Sequence, residues 1–137
     1  MNKNLLASLF LTVTVAASAL WTPSARAHDD HTKAQYGGVV VEGGKFQAEL
    51  VVTNDNLTVY ITEHGANVPT KGATGKVTVL TEGKKSEFAL VASGENMLIA
   101  SLPSNDDKTP AVSEGSRVVA VITLAGKAAN SVRWVIK

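Results

Sequence analysis

The chain contains three histidines, and their positions confine the chemistry it can do. His28 and His31 bracket Asp29 and Asp30, directly after Ala25-Arg26-Ala27. His64 follows Glu63 and precedes Gly65. Ala25-x-Ala27 is the small-x-small pattern that a signal peptidase accepts. Cleavage after Ala27 would make His28 the first residue, with a free α-amine beside its imidazole. Amine nitrogen and ring Nδ1 can chelate one ion together. His31 and an Asp carboxylate would complete the tetragonal N,O set that Cu(II) prefers, and zinc takes imidazole and carboxylate donors as well. A free α-amine titrates near roughly 7.7–8.0, so binding displaces a proton and weakens in acid. The expected metal residues are His28, Asp29, Asp30 and His31. His64 would add a third imidazole if the arm folds back, with Glu63 as a ligand or a hydrogen-bonded support. The same residues also suit a plainer role, as a solvated tail and a polar strand end entering a turn.

Other chemistries find little footing. The absence of cysteine removes disulfides, thiolate metal sites, a Cys nucleophile and an N-terminal lipid-modified Cys. No Gly-x-Ser-x-Gly elbow and no glycine-rich phosphate loop occur. Gly37-Gly38 and Gly43-Gly44 bracket a short strand and read as hairpin ends. Asp106-Asp107 lacks the spaced oxygen ligands of a calcium loop. Met97 stands beside Leu98 and Ile99 and reads as packing, and Trp134 alternates with Val132 and Ile136 and reads as a core anchor. The expectation is a protein that is not an enzyme.

Compartment and charge follow from the first residues. Lys3 precedes an uncharged apolar run from Leu5 to Leu20, and Pro23 breaks the chain before Ala27. The run is about 16 residues long, short of the roughly 20 needed to span a bilayer. Residues 1–27 are expected to be a cleaved signal peptide, and the product periplasmic or secreted, with no membrane insertion after cleavage. Removing Lys3 and Arg26 from the 13 basic residues leaves 11 against 12 acidic ones. That balance argues against nucleic acid as a partner.

The elements that must position these residues are strands. Residues 28–35 are polar and without periodicity, and read as a flexible arm. From Tyr36 the pattern becomes short β-branched runs with period 2, separated by turn residues. Strands are expected at Val39–Val41, Phe46–Thr53, Leu57–Thr62, Lys76–Thr81, Ser86–Val91, Met97–Leu102, Ser116–Leu124 and Asn130–Ile136, with a long polar connection from Pro103 to Gly115. Alternation places His64 on the outward face with Tyr60 and Thr62. The fold expected for 36–137 is all-β, an antiparallel immunoglobulin-like β-sandwich of seven or eight strands, with a small barrel second.

Tyr36-Gly37-Gly38-Val39-Val40, Phe46–Val52, Leu57–Gly65 with Val68-Pro69-Thr70, and the closing Val118–Ile136 hairpin resemble small periplasmic domains of bacterial heavy-metal efflux systems of the RND type. Such domains stand alone or near the N-terminus of efflux adaptors. The resemblance implies a β-sandwich working in copper or divalent-metal tolerance beside an efflux adaptor or pump. It places His64 in the matching Glu-His-Gly turn. In design the chain is also similar to small periplasmic copper carriers that begin with a mature N-terminal His, but it lacks their downstream His-bearing loop.

Three functions follow as expectations. The leading one is a periplasmic copper- or zinc-binding or buffering protein. Another is an interaction module without metal, docking on an envelope partner through an exposed edge strand. The last is a copper oxidase or oxygenase built on a His28 chelate with His64, for which the chain is small.

Overall fold

β-branched residues at alternating positions favour pleated strands, and the polar residues between them favour one wet face. The computed structural model describes residues 33–103 and 111–137. The expected signal segment, His28-Asp29-Asp30-His31 and Asp106-Asp107 lie outside the described residues. Within them the chain forms nine strands and no helix. These are β1 Val39–Glu42, β2 Gln47–Val52, β3 Asn56–Glu63, β4 Ala66–Asn67, β5 Thr74–Thr81, β6 Lys84–Ser93, β7 Met97–Ser101, β8 Arg117–Thr123 and β9 Asn130–Val135.

All pairings are antiparallel, and the strands join one sheet in the order β1-β2-β3-β7-β6-β5-β8-β9, with β4 attached to β3. β1 and β9, the two ends of this path, meet without ladder hydrogen bonds. The sheet is therefore nearly closed and barrel-like. The all-β expectation holds. The hydrogen bonding draws one continuous curled sheet, not the two sheets of an immunoglobulin-like sandwich. β7 and β8, consecutive in the chain, lie on opposite sides of the β6-β5 pair, with β8 hydrogen-bonded to β5.

Inward side chains form cross-strand rows. Leu50, Val59 and Leu98 are one row, and Val79, Val118 and Trp134 another. All six are essentially buried. Trp134 is the core anchor its alternation predicts, and among the described residues its indole N–H has no hydrogen-bond partner. Met97 is half-buried and lies opposite Tyr60 across the β3–β7 ladder. At the far end, the buried hydroxyls of Thr81 and Ser116 pair at 2.7 Å, and Thr81 Oγ1 also donates to the Ala111 carbonyl at 3.1 Å. These bonds fix the returning connection to the end of β5.

Candidate metal-binding site

Two residues join β3 to β4. Glu63 pairs with Ala66, leaving His64 and Gly65 as the loop, with φ of 51° and 81°. Positive φ at both central positions is the mark of a type I′ turn, whose twist matches that of the flanking strands. Histidine enters the left-handed region more readily than most residues, and glycine does so at no steric cost. The Glu-His-Gly segment is thus hairpin chemistry first. Glu82-Gly83, with φ of 49° and 80°, makes a turn of the same kind between β5 and β6.

The turn takes His64 out of the strand alternation expected of it. Thr62 is buried and Tyr60 half-buried, whereas His64 is exposed at the tip. Glu63 is exposed as well. His64 and Glu63 line an open hollow of about 260 Å³ together with Glu42, Lys45, Phe46 and Gln47. The hollow lies where the end of β1, the start of β2 and the end of β3 come together, since Glu42 pairs with Gln47 and Gln47 with Thr62. Among the described residues, no three of the His, Asp and Glu side chains converge as a metal-binding group. The described part of the expected site therefore supplies one imidazole and nearby carboxylates, and needs donors from elsewhere to hold an ion.

The segment just before β1 is docked against this turn. Gln35, the last residue of the expected arm, donates from Nε2 to the Gly65 carbonyl at 3.4 Å. Tyr36 stacks flat on Tyr60, with ring centroids 3.7 Å apart and planes 6° from parallel. The Tyr36 hydroxyl donates to Asn67 Oδ1 at 3.1 Å and accepts from Asn96 Nδ2 at 3.2 Å. Asn96 Nδ2 also contacts Asn67 Oδ1 at 3.1 Å and the Ile61 carbonyl at 3.3 Å.

Glu49 ties the segment down. It lies on β2 between the inward Ala48 and Leu50, so alternation points it outward, yet it is only 5% exposed. Its carboxylate accepts three backbone N–H groups: Gln35 at 2.7 Å on Oε2, and Tyr36 at 2.9 Å and Gly38 at 2.7 Å on Oε1. Successive amides turned toward one point make a concave anion cradle, and here the anion is the chain's own carboxylate. Gly37, at φ 78°, supplies the bend. Gly38 supplies the close approach, because a Cβ there would lie 2.2 Å from the Leu50 carbonyl oxygen. Gly37-Gly38 is thus not the hairpin end expected from the sequence; it lays residues 35–38 over the outer face of β2 and β3.

Comparison with protein-family models, with curated proteins and with solved structures found no match to this chain. The site must be read from its own geometry. His28, Asp29, Asp30 and His31 lie outside the described residues, while His64 and Glu63 stand together on the β3–β4 turn. Sequence reasoning missed Gln35, Tyr36, Glu49, Asn67 and Asn96. The available signal was a lone Glu between apolar residues of β2, with an aromatic-Gly-Gly segment 11 to 13 residues before it.

Proposed function

We propose that the mature chain is a non-enzymatic periplasmic protein that binds or buffers copper or zinc beside a heavy-metal efflux system. In this reading the ion is held jointly by the His28-Asp29-Asp30-His31 arm and by His64, with Glu63 as a further ligand or support. The observation that carries it is the docking of Gln35 on the Gly65 carbonyl, next to His64. His31 is four residues before Gln35. Four residues span at most about 14 Å, and the seven from His28 at most about 25 Å. The arm's donors therefore start within chain reach of the turn's imidazole. A rigid sheet presenting one imidazole and a tethered segment presenting others is a workable way to assemble a three-nitrogen site.

The test is a calorimetric titration of purified mature chain, beginning at His28, with Cu(II) and with Zn(II). Micromolar or tighter binding of either ion supports the reading, and millimolar or weaker binding of both refutes it. One added residue before His28 is expected to weaken Cu(II) binding more than about tenfold, that is by more than about 1.4 kcal/mol.

A second reading is favoured by the seam between β1 and β9, whose facing edges carry no ladder hydrogen bonds. An interaction module could take an extended peptide of an envelope partner there. Its signature is partner binding that survives a combined His28→Ala, His31→Ala and His64→Ala change.

A further inference from the structure

The end of the barrel that carries the β3–β4 turn also carries a second, larger hollow. Its volume is about 410 Å³, and it lies between the β1–β2 turn, the β8–β9 turn and the residues that follow β4. Lys45, Phe46 and Glu63 border both this hollow and the smaller one beside His64. The large apolar residues of its lining are Phe46, Val68 and Leu124. Phe46 and Leu124 belong to the buried core, and Val68 packs against that core. A backbone hydrogen bond holds each of the three in place. The Gly43 amide donates to the Phe46 carbonyl at 2.8 Å, the Lys127 amide to the Leu124 carbonyl at 3.0 Å, and the Val68 amide to the Ile61 carbonyl at 3.1 Å. Gly43 also lets β1 close on β9 here, since a Cβ on it would lie 2.4 Å from Val132 Cγ1. The walls are thus fixed before any ligand arrives. Small-molecule sites are mostly pre-formed, often sit at barrel mouths, and have volumes of roughly 300–1,000 Å³.

The rim is charged. Lys45, Lys127 and Glu63 all line the hollow, and all three are exposed. Among the described residues the ion pairs are those of Glu87 with Lys76 and Lys85, so the rim charges are not spent on one another. Two cations against one carboxylate leave the rim positive, above an apolar base. The complement of that arrangement is an apolar body ending in an anion. We infer that this hollow binds a small aliphatic carboxylate of medium chain length, its hydrocarbon against Phe46, Val68 and Leu124 and its head group between Lys45 and Lys127. Glu63 opposes the head group, which excludes multiply charged anions and keeps the affinity modest. The site needs no metal ion, so it stands apart from the metal-binding reading above.

The test is a heteronuclear magnetic resonance titration of the mature chain with hexanoate, octanoate and octanol, each below its aggregation limit and with a metal chelator present. Saturable shifts are expected at the amides of Lys45, Phe46, Val68, Leu124 and Lys127. Full burial of one methylene tightens binding about fourfold, so even in an open hollow octanoate should bind at least about threefold tighter than hexanoate. An exposed ion pair changes affinity by up to about fivefold. Lys45→Met with Lys127→Met is therefore expected to weaken octanoate about fourfold or more and to leave octanol unchanged. Both lysines are exposed, so the fold should tolerate their loss. Glu63→Gln should tighten octanoate, by about fivefold at most. The inference is overturned if millimolar octanoate gives no saturable shift, or if the shifts fall away from the hollow. Octanol binding as tightly as octanoate overturns the carboxylate, as does an unchanged affinity in the double lysine variant. Weaker binding in Glu63→Gln would mean that Glu63 holds a cation of the ligand, and a zwitterion would replace the simple carboxylate. None of these results bears on whether the chain binds Cu(II) or Zn(II).

Discussion

Replacing Gly38 by alanine tests whether residues 35–38 are held as tightly as the geometry implies. Gly38 does not sit at positive φ, so its backbone conformation suits alanine and only space forbids it. The added Cβ would fall 2.2 Å from the Leu50 carbonyl oxygen and 2.9 Å from Val51 Cγ2. The first obstacle is sheet backbone, which cannot rotate aside. Forcing a methyl into packed space costs about 1–3 kcal/mol. The shift must also stretch the bonds into Glu49, each worth about 1.5–3 kcal/mol with a charged acceptor, of which water recovers a part. We expect a net loss of about 3 kcal/mol. At about 4–8 °C per kcal/mol for a domain near this size, Tm falls by about 12–24 °C. Gly37→Ala is the control. It meets nothing within 4 Å and pays only for its φ of 78°, about 1–2 kcal/mol. Thermal unfolding followed by circular dichroism, with hydrogen exchange at the Gln35, Tyr36 and Gly38 amides, measures both. A Gly38→Ala protein that melts within about 3 °C of wild type would refute the reasoning, as would Gly37→Ala being the more damaging change.

Further outcomes follow from the same geometry. His64→Asn suits a type I′ turn at least as well as histidine, so its Tm is expected to equal or exceed that of wild type while Cu(II) affinity falls; a lowered Tm would show that the imidazole serves the turn. Glu87 titrates below its ordinary value of 4.5 because it accepts hydrogen bonds from Lys85 and Lys76. A lowered folded pKa means that its contribution is whole above pH 4.5 and is lost as pH falls through the folded value. Glu87→Gln should therefore flatten a small part of the acid limb in urea titrations at successive pH values, and 1 M salt should abolish the difference because the pair is exposed. Trp134→Ala, at a site 2% exposed, should cost about 3–5 kcal/mol in chemical denaturation.

The strands were legible because inward positions on each run are apolar and β-branched. Leu57, Val59 and Ile61 are all fully buried, as their period of 2 predicts. What alternation does not encode is closure. A sandwich and a barrel both hide every second residue, and they differ in whether β1 and β9 meet across a seam, which no local pattern reports. The short β4, Ala66–Asn67, falls in the gap between the strands expected at Leu57–Thr62 and Lys76–Thr81, where two residues are too few to show a period. At the candidate site, Glu63 and His64 were visible as residue types. The grip on the arm was not, since Glu49 and its amides are 11 to 14 residues apart and meet only after β1 folds back on β2. Gly37-Gly38 carried a true signal that was given the wrong cause. Two adjacent glycines did mark a sharp bend, but the bend serves a carboxylate cradle.

The joint site is tested most directly by nuclear magnetic resonance of the mature chain with substoichiometric Cu(II), whose unpaired electron broadens only nearby amides. We predict that signals from residues 28–33 and from His64, Gly65 and Ala66 fade together at the first additions. Fading of the arm alone, with the β3–β4 turn left sharp, would contradict a shared ion.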